Sequence, residues 1–329
     1  MRLLLDIHVR PETVDRLRAL SPALDVVDVS GDDTFDIDAF ADPAVEVIVG
    51  RRAPADLGRV PGLRWLQVGS AGVDHLAADP PWARGVQVTN ARGVFAIPIG
   101  EYVSGAVLRI NQPTRRWAAD QASHRWPTED EPLATIVRGK TVVVVGYGSI
   151  GREVARQLAA LGLRIVAVKP RPRMRADTSF KVPGTGDPDG SIPDRIVGVH
   201  ALAEVARDAD YLVLTLPLTP ESRRIIDGSV LGALPARAWL INVSRGALVD
   251  EAALLDALRG GRLAGAVLDV FTEEPLRPDH PLWEAPNVTV TPHVSGATSQ
   301  FRDDLVVENV RRYLAGEPLL NLVDPERGY

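Results

Sequence analysis

Short apolar runs alternate with segments of helical period along most of the 329-residue chain, a pattern that predicts an α/β protein with parallel sheets. Leu3–Ile7, Val45–Val49, Leu63–Val68 and Val86–Thr89 read as strands of a first small unit. Between Ile97 and Ala119 the residues Ile99, Tyr102, Val103, Ala106, Val107 and Ile110 recur at helical spacing and predict one connecting helix. A second series follows at Thr141–Val145, Arg164–Val168, Tyr211–Leu216, Trp239–Val243, Ala264–Val270 and Val288–Thr291. Such a series, with helices between its strands, suits a doubly wound dinucleotide fold. Pro170–Val199 lacks periodicity, is rich in Pro, Gly, Asp and Arg, and reads as an unusually long surface excursion. Thr298–Leu314 is helical again through Phe301, Leu305, Val306, Val310 and Leu314, although periodicity does not name its partner. There is no internal repeat or low-complexity tract.

The length allows two domains with full cores. Net charge is -6, from 37 Lys+Arg against 43 Asp+Glu, which offers no general attraction to nucleic acid or to an anionic bilayer. The chain has no cysteine, so disulfides, thiolate metal sites, iron–sulfur clusters and cysteine nucleophiles are excluded, and redox chemistry requires a borrowed cofactor. The opening Met1–Asp6 has too short an apolar stretch for a signal core, and no apolar run approaches a membrane span. A cytoplasmic protein is expected.

Gly146-Tyr147-Gly148-Ser149-Ile150-Gly151 follows the apolar strand Thr141–Val145 and precedes Val154, Leu158 and Leu161 at helical spacing. Strand, tight turn and helix form the context in which G-x-G-x-x-G binds a pyrophosphate: Gly146 for the turn, Gly148 for close backbone approach, and Gly151 for helix–strand packing. A serine-hydrolase elbow would need glycine at 147, where tyrosine stands.

Three further segments put ionisable residues just after predicted strands: Arg245, Glu274 and His293. Strand carboxyl ends are where open α/β sheets hold ligands. Carbonyl reduction by hydride needs a cation for an anionic substrate and its C=O, an acid for the new alkoxide, and a partner that keeps the acid protonated. Arginine, histidine and glutamate meet those needs in turn. Taken singly, each would more often be a surface pair or a satisfied loop residue. A metal site from Asp279, His280 and His293 matches no regular ligand spacing, so no metal is expected.

The ordered motifs Gly69-Ser-Ala-Gly-Val-Asp74, Thr89-Asn90, Gly100-Glu101-Tyr102, the glycine loop, Leu216-Pro-Leu-Thr-Pro-Glu-Ser222, Asn242-Val-Ser-Arg-Gly246, Asp269-Val-Phe271, Glu274-Pro275 and Thr291-Pro-His293-x-Ser-Gly296 together resemble the D-isomer-specific 2-hydroxyacid dehydrogenase family. That resemblance implies two Rossmann-like doubly wound parallel-sheet domains with an active-site cleft between them. Residues 1–98 plus 293–329 would form the substrate domain and 99–292 the dinucleotide domain. It implies His293 as proton donor, Glu274 as its partner, and Arg245 as binder of the substrate carboxylate and carbonyl. Backbone N–H groups of Ser70, Ala71 and Gly72 would receive the carboxylate. Cofactor contacts would come from the glycine loop, Pro217, Val243, Ser244, Arg245, Asp269 on the nicotinamide side, His293 and Gly296. Arg51, Arg52 and His75 are candidate pocket residues.

The expected activity is reduction of a small 2-ketoacid of the glyoxylate/hydroxypyruvate type to the D-2-hydroxyacid, in a homodimer joined through the cofactor domains. Glu274 argues against a formate dehydrogenase, since formate dehydrogenases of the family carry glutamine at that place. Two alternatives stay open: a dehydrogenase for another small anion (3-phosphoglycerate or phosphite), and a dinucleotide-binding corepressor-like module. In NAD-dependent relatives an aspartate about 20 residues beyond the glycine loop holds the ribose hydroxyls. Here that position is Lys169, followed by Arg171 and Arg173, with no carboxylate until Asp177. NADP(H) is therefore expected over NAD(H), the basic residues pairing with the 2′-phosphate.

Overall fold

The computed structural model describes residues 1–128, 134–177, 179–297 and 301–326. It divides into two compact units: Met1–Phe95, Thr178–Pro183 and Thr298–Tyr329 form unit 1, and Ala96–Asp177 with Gly184–Ala297 forms unit 2. The boundaries expected at 98/99 and 292/293 thus fall at 95/96 and 297/298. His293 stays with unit 2 because its backbone N–H donates to the carbonyls of Asp269 (2.8 Å) and Thr291 (3.1 Å). The piece Thr178–Pro183 joins unit 1 through Phe180, whose N–H donates to Asn321 Oδ1 at 3.0 Å and whose ring packs on Ala91, Val94 and Leu305.

In unit 1, β1 (Arg2–Leu5), α1 (Pro11–Leu20), β2 (Asp25–Asp28), β3 (Val45–Gly50), β4 (Trp65–Val68) and β5 (Gln87–Thr89) build a parallel sheet in the order β2-β1-β3-β4-β5. Alternation along the strands sends Leu4, Ile48, Leu66 and Val88 to one core. It sends Leu3, Leu5, Val47, Val49 and Trp65 to the other, where Val306 and Val310 of the C-terminal helix complete the packing. The helix partner left open by periodicity is therefore this sheet, and burying each valine contributes roughly 1.5–3 kcal/mol. That helix spans Arg302–Ala315; the expected start at Thr298 lies outside the described residues.

Unit 2 opens with α2 (Ala96–Asn111) and α3 (Thr114–Ala122), where one continuous helix is expected from the sequence. Pro113, directly before α3, lacks the N–H an unbroken helix requires, and the chain restarts there. There follow β6 (Thr141–Val145), α4 (Ser149–Ala160), β7 (Arg164–Val168), β8 (Arg195–Val197), α5 (Leu202–Ala206), β9 (Tyr211–Leu214), α6 (Gly228–Ala233), β10 (Trp239–Asn242), α7 (Glu251–Arg259), β11 (Gly265–Leu268), β12 (Val288–Val290) and, back in unit 1, the C-terminal helix as α8. The sheet order β12-β11-β10-β9-β6-β7-β8 is parallel throughout. β6, β9 and β11 are buried at every residue, which is why they read as unbroken apolar runs.

β2 and β8 were not among the predicted strands. Both are edge strands, and Asp25-Val-Val-Asp28 and Arg195-Ile-Val197 are too short and too exposed to show a run. The excursion Pro170–Val199 therefore ends in a strand. Strand order reverses between β1 and β3 in unit 1 and between β6 and β9 in unit 2. Open α/β sheets bind ligands at the carboxyl ends beside such points.

Candidate active site

At the switch point of unit 2 the chain leaves β6 into the glycine loop. Gly146 has φ 98°, and a Cβ there would stand 2.6 Å from the backbone nitrogen of Leu216, so only glycine makes this turn. Gly148 is exposed, precedes α4 without any side-chain cap, and leaves open space where a Cβ would lie. Uncapped first-turn N–H groups beside open space fit a dinucleotide pyrophosphate. Ser149 and half-buried Ile150 begin the helix, and Gly151 packs against the Gly146 carbonyl. Tyr147 departs from expectation as a cofactor residue. Its ring is buried and its hydroxyl donates to Asp187 Oδ2 at 2.6 Å, so it faces the excursion and leaves only its backbone to the loop.

Arg245, Glu274 and His293 follow β10, β11 and β12, three adjacent parallel strands, so their loops leave the same sheet edge. A Cβ on Gly246 would stand 1.9 Å from the carbonyl carbon of Phe271. This glycine lets the Arg245 loop lie directly on the backbone that leads to Glu274. Glu274 Oε1 accepts from the Phe271 N–H at 2.9 Å, and Oε2 stands 2.8 Å from His293 Nδ1. A carboxylate only accepts, so Nδ1 carries the proton and Nε2 is the free end of the ring. Both side chains are partly exposed. Asn242 braces the Arg245 turn, Nδ2 donating to the Arg245 carbonyl at 2.9 Å and Oδ1 accepting from Ser244 N–H at 3.1 Å.

Asp269, expected on the nicotinamide side, is completely buried. Oδ1 accepts from Thr291 Oγ1 at 2.5 Å and from Val294 N–H at 2.9 Å, and Oδ2 accepts from Ser295 N–H at 2.8 Å. Thr291 spends its one proton there, so the Tyr102 hydroxyl, 2.6 Å away, donates to Thr291. Burial holds the Tyr102 phenol above its ordinary value. The carboxylate thus fastens both sides of His293, whose φ of 54° is unusual for a side-chain-bearing residue.

Of the remaining expected cofactor residues, Pro217 is exposed beyond β9 and Gly296 ends the His293 loop half-buried. Val243 is in the core, and the Ser244 hydroxyl donates to the Leu216 carbonyl, so neither offers a side chain to a ligand. Lys169 sits at the end of β7, its Nζ donating to the Met174 carbonyl at 2.6 Å. Burial, then the nearby Arg152, holds its ammonium below the ordinary lysine value. Arg171 and Arg173 are exposed and have no carboxylate partner among the described residues.

Unit 1 carries its own pocket of about 430 Å³, lined by Ile7, His8, Arg51, Gly69, Ser70, His75 and Arg302. It lies at the β1/β3 switch. Ser70, Arg51 and His75 are among its lining residues, and Ala71 and Gly72 are not. Arg52 turns away into a two-bond pair with Asp38, both at 2.6 Å. Arg302 Nη2 donates to the His8 carbonyl, while its Nε is buried without a hydrogen-bond partner among the described residues. Burial, and then Arg51, holds the Arg302 guanidinium below its ordinary value. His8 and Arg302 escaped the sequence reading. His8 follows β1, and the strand-end rule that found Arg245 reaches it too; Arg302 lies at the first turn of α8 and has no such signal.

Unit 2 thus combines a parallel sheet with a glycine loop at its switch point and an Arg/Glu/His set at neighbouring strand ends. Residues 104–295 match the model for D-isomer specific 2-hydroxyacid dehydrogenase, NAD binding domain, and the chain belongs to that family. It is 33% identical over 313 residues to a D-3-phosphoglycerate dehydrogenase of Mycobacterium tuberculosis, covering 93% of this chain but 56% of that protein. The chain thus spans little more than half the length of such relatives. It is 31% identical over 291 residues to glyoxylate/hydroxypyruvate reductase A of Arabidopsis thaliana, covering 85% and 86% of the two chains. Its structure is similar, with TM-score 0.78 and 28% identity over 100% of this chain and 99% of the other, to an NADPH-dependent glyoxylate/hydroxypyruvate reductase of Sinorhizobium meliloti solved with NADP and sulfate. Among the described residues no helix is long and apolar enough to cross a membrane.

Proposed function

We propose that the chain reduces a small 2-ketoacid of the glyoxylate/hydroxypyruvate type to the D-2-hydroxyacid with NADPH. The observation that carries this is the His293–Glu274 pair, 2.8 Å apart, on the strand end beside the Arg245 loop. The glycine loop, Lys169, Arg171 and Arg173 would hold the dinucleotide, which when bound supplies the hydride. Arg245 holds the substrate carboxylate and polarises the carbonyl with its planar fork. His293 donates the proton on Nε2 to the oxygen as it gains negative charge, keeps the proton on Nδ1 against Glu274, and is reprotonated from water. Unit 1, Met1–Phe95 with Thr178–Pro183 and Thr298–Tyr329, would be the substrate domain, with the backbone N–H groups of Ser70, Ala71 and Gly72 offered to a carboxylate.

Lys169 in the place of an aspartate, followed by two arginines without a carboxylate partner among the described residues, supports NADP over NAD, as does the NADP-bound Sinorhizobium relative. A second reading, a substrate with an additional anionic group, is favoured by Arg51 and Arg302 together in the unit 1 pocket. We also propose a homodimer through unit 2, where Trp126 is 93% and Ile136 77% exposed; monomeric light scattering at micromolar concentration would overturn it.

The deciding experiment is initial rates with NADPH and NADH against glyoxylate, hydroxypyruvate, pyruvate, a branched ketoacid, phosphohydroxypyruvate and phosphite. Fastest kcat/KM on an unphosphorylated ketoacid with NADPH is expected. Cofactor binding without turnover of any compound would favour a binding module, and phosphite turnover alone would replace the substrate.

A further inference from the structure

The segment between β7 and β8 is bolted to the helix that follows the glycine loop. Arg152, in the second turn of α4 and 2% exposed, donates from Nη1 to the Asp187 carbonyl and from Nη2 to the Arg175 carbonyl at 2.5 Å. Its Nε stands 3.8 Å from Asp177, and its guanidinium lies 4.8 Å from the centre of the Tyr147 ring. Tyr147, inside the glycine loop, donates its hydroxyl to Asp187 Oδ2, and Asp187 Oδ1 accepts from Ser191 N–H at 3.0 Å. The next helix residue, buried Glu153, accepts from the Gly186 N–H at 2.7 Å. Residues 175 and 187 are thereby fixed from the same helix turn.

What this fixes is the turn just before. Lys169 is held at one end by β7 and by its bond to the Met174 carbonyl, and the Met174 N–H closes the turn onto the Arg171 carbonyl at 3.1 Å. Arg175 is held at the other end by Arg152 and by its own donation to the Gly190 carbonyl at 3.1 Å. Between these anchors Arg171 and Arg173 are exposed. Two guanidiniums on a pinned turn lose less freedom on binding an anion than two on a loose loop. A buried arginine whose bonds go to backbone carbonyls of an excursion is also an expensive way merely to fill a core.

We propose that Arg152, Tyr147 and Asp187 are positioning residues for cofactor choice: they hold the turn that presents Arg171 and Arg173 to the 2′-phosphate of NADP. This rests on the NADP reading above. None of the three touches that phosphate. Their contribution is to the arrangement of the residues that do.

The test uses the full chain and two ligands differing only in the 2′-phosphate, 2′,5′-ADP and 5′-AMP, with dissociation constants from calorimetry. For two charge-assisted contacts, wild type is expected to bind 2′,5′-ADP at least about tenfold tighter than AMP, and Arg171→Ala/Arg173→Ala to lose that advantage. Tyr147→Phe and Asp187→Asn are expected to lose about half or more of the same advantage in logarithmic terms while AMP affinity stays at the wild-type value. A general structural fault would weaken both ligands together, and that result overturns the proposal. So does a wild-type ratio in a folded Asp187→Asn protein, which spares the NADP reading. A wild type indifferent to the 2′-phosphate overturns that reading and the proposal with it. Should Tyr147→Phe fail to fold, Asp187→Asn decides alone, since it keeps the shape of the side chain.

Discussion

Asp269→Asn separates two roles for a buried carboxylate while changing its shape very little. The carboxylate accepts three bonds, from Thr291 Oγ1, Val294 N–H and Ser295 N–H. An asparagine can keep the first two on its one oxygen, but its NH₂ then faces the Ser295 N–H, donor against donor, in a place where Ser295 is only 5% exposed. One charge-assisted bond is lost at about 1.5–3 kcal/mol and the other two weaken, so folding stability should fall by about 2–4 kcal/mol in a urea titration. The larger effect is kinetic. The Ser295 side of the loop comes free, and His293, held at φ 54°, moves; a displacement of roughly 1 Å in a reacting group costs about 10² in rate. Steady-state rates with glyoxylate and NADPH should therefore show kcat down about a hundredfold with the cofactor KM within about threefold of wild type. A near-normal kcat with a strongly raised cofactor KM would refute this reasoning and return Asp269 to the nicotinamide.

His293→Ala should lower kcat by about 10²–10⁴ and leave NADPH binding intact; a change under about tenfold in kcat would remove His293 as the acid. Arg245→Lys keeps the charge but not the fork, so ketoacid KM should rise and kcat fall, and unchanged constants would show a purely structural arginine. Burial and Arg152 lower the Lys169 ammonium while Asp177 opposes them. Folding is therefore penalised while Lys169 is charged in both states, and the penalty is relieved as pH rises from its lowered folded-state value to the ordinary lysine value. The bound phosphate wants the charged form, so NADPH affinity should weaken with rising pH before the ordinary lysine range, and Lys169→Arg should flatten that profile; two identical profiles would sink the assignment. Arg302→Met should raise the ketoacid KM by about 10–100-fold with cofactor binding unchanged, the value of one charge-assisted contact; an unaltered KM would show that the unit 1 pocket does not meet the substrate.

Much of the molecule was fixed by local pattern. The strands buried on both faces, such as Thr141–Val145 and Tyr211–Leu214, announce themselves because neither side needs a polar residue, and the glycine loop because its backbone geometry admits little else. Arg245, Glu274 and His293 were legible for a related reason: each lies on the loop that leaves the carboxyl end of a strand. Edge strands β2 and β8 were not, since half of each faces water and leaves no hydrophobic signature. Side-chain allegiance belonged to the tertiary structure alone. Asp269 and Tyr147 sit in motifs that imply cofactor contact, yet burial and hydrogen bonding commit one to the His293 loop and the other to Asp187, partners 22–26 and 40 residues away in the chain. Arg52 and Arg51 are neighbours in sequence, yet one is spent on Asp38 while the other lines a pocket with Arg302. A sequence places a charge on a loop; which opposite charge or buried donor claims it depends on distances that exist only once both sheets have formed.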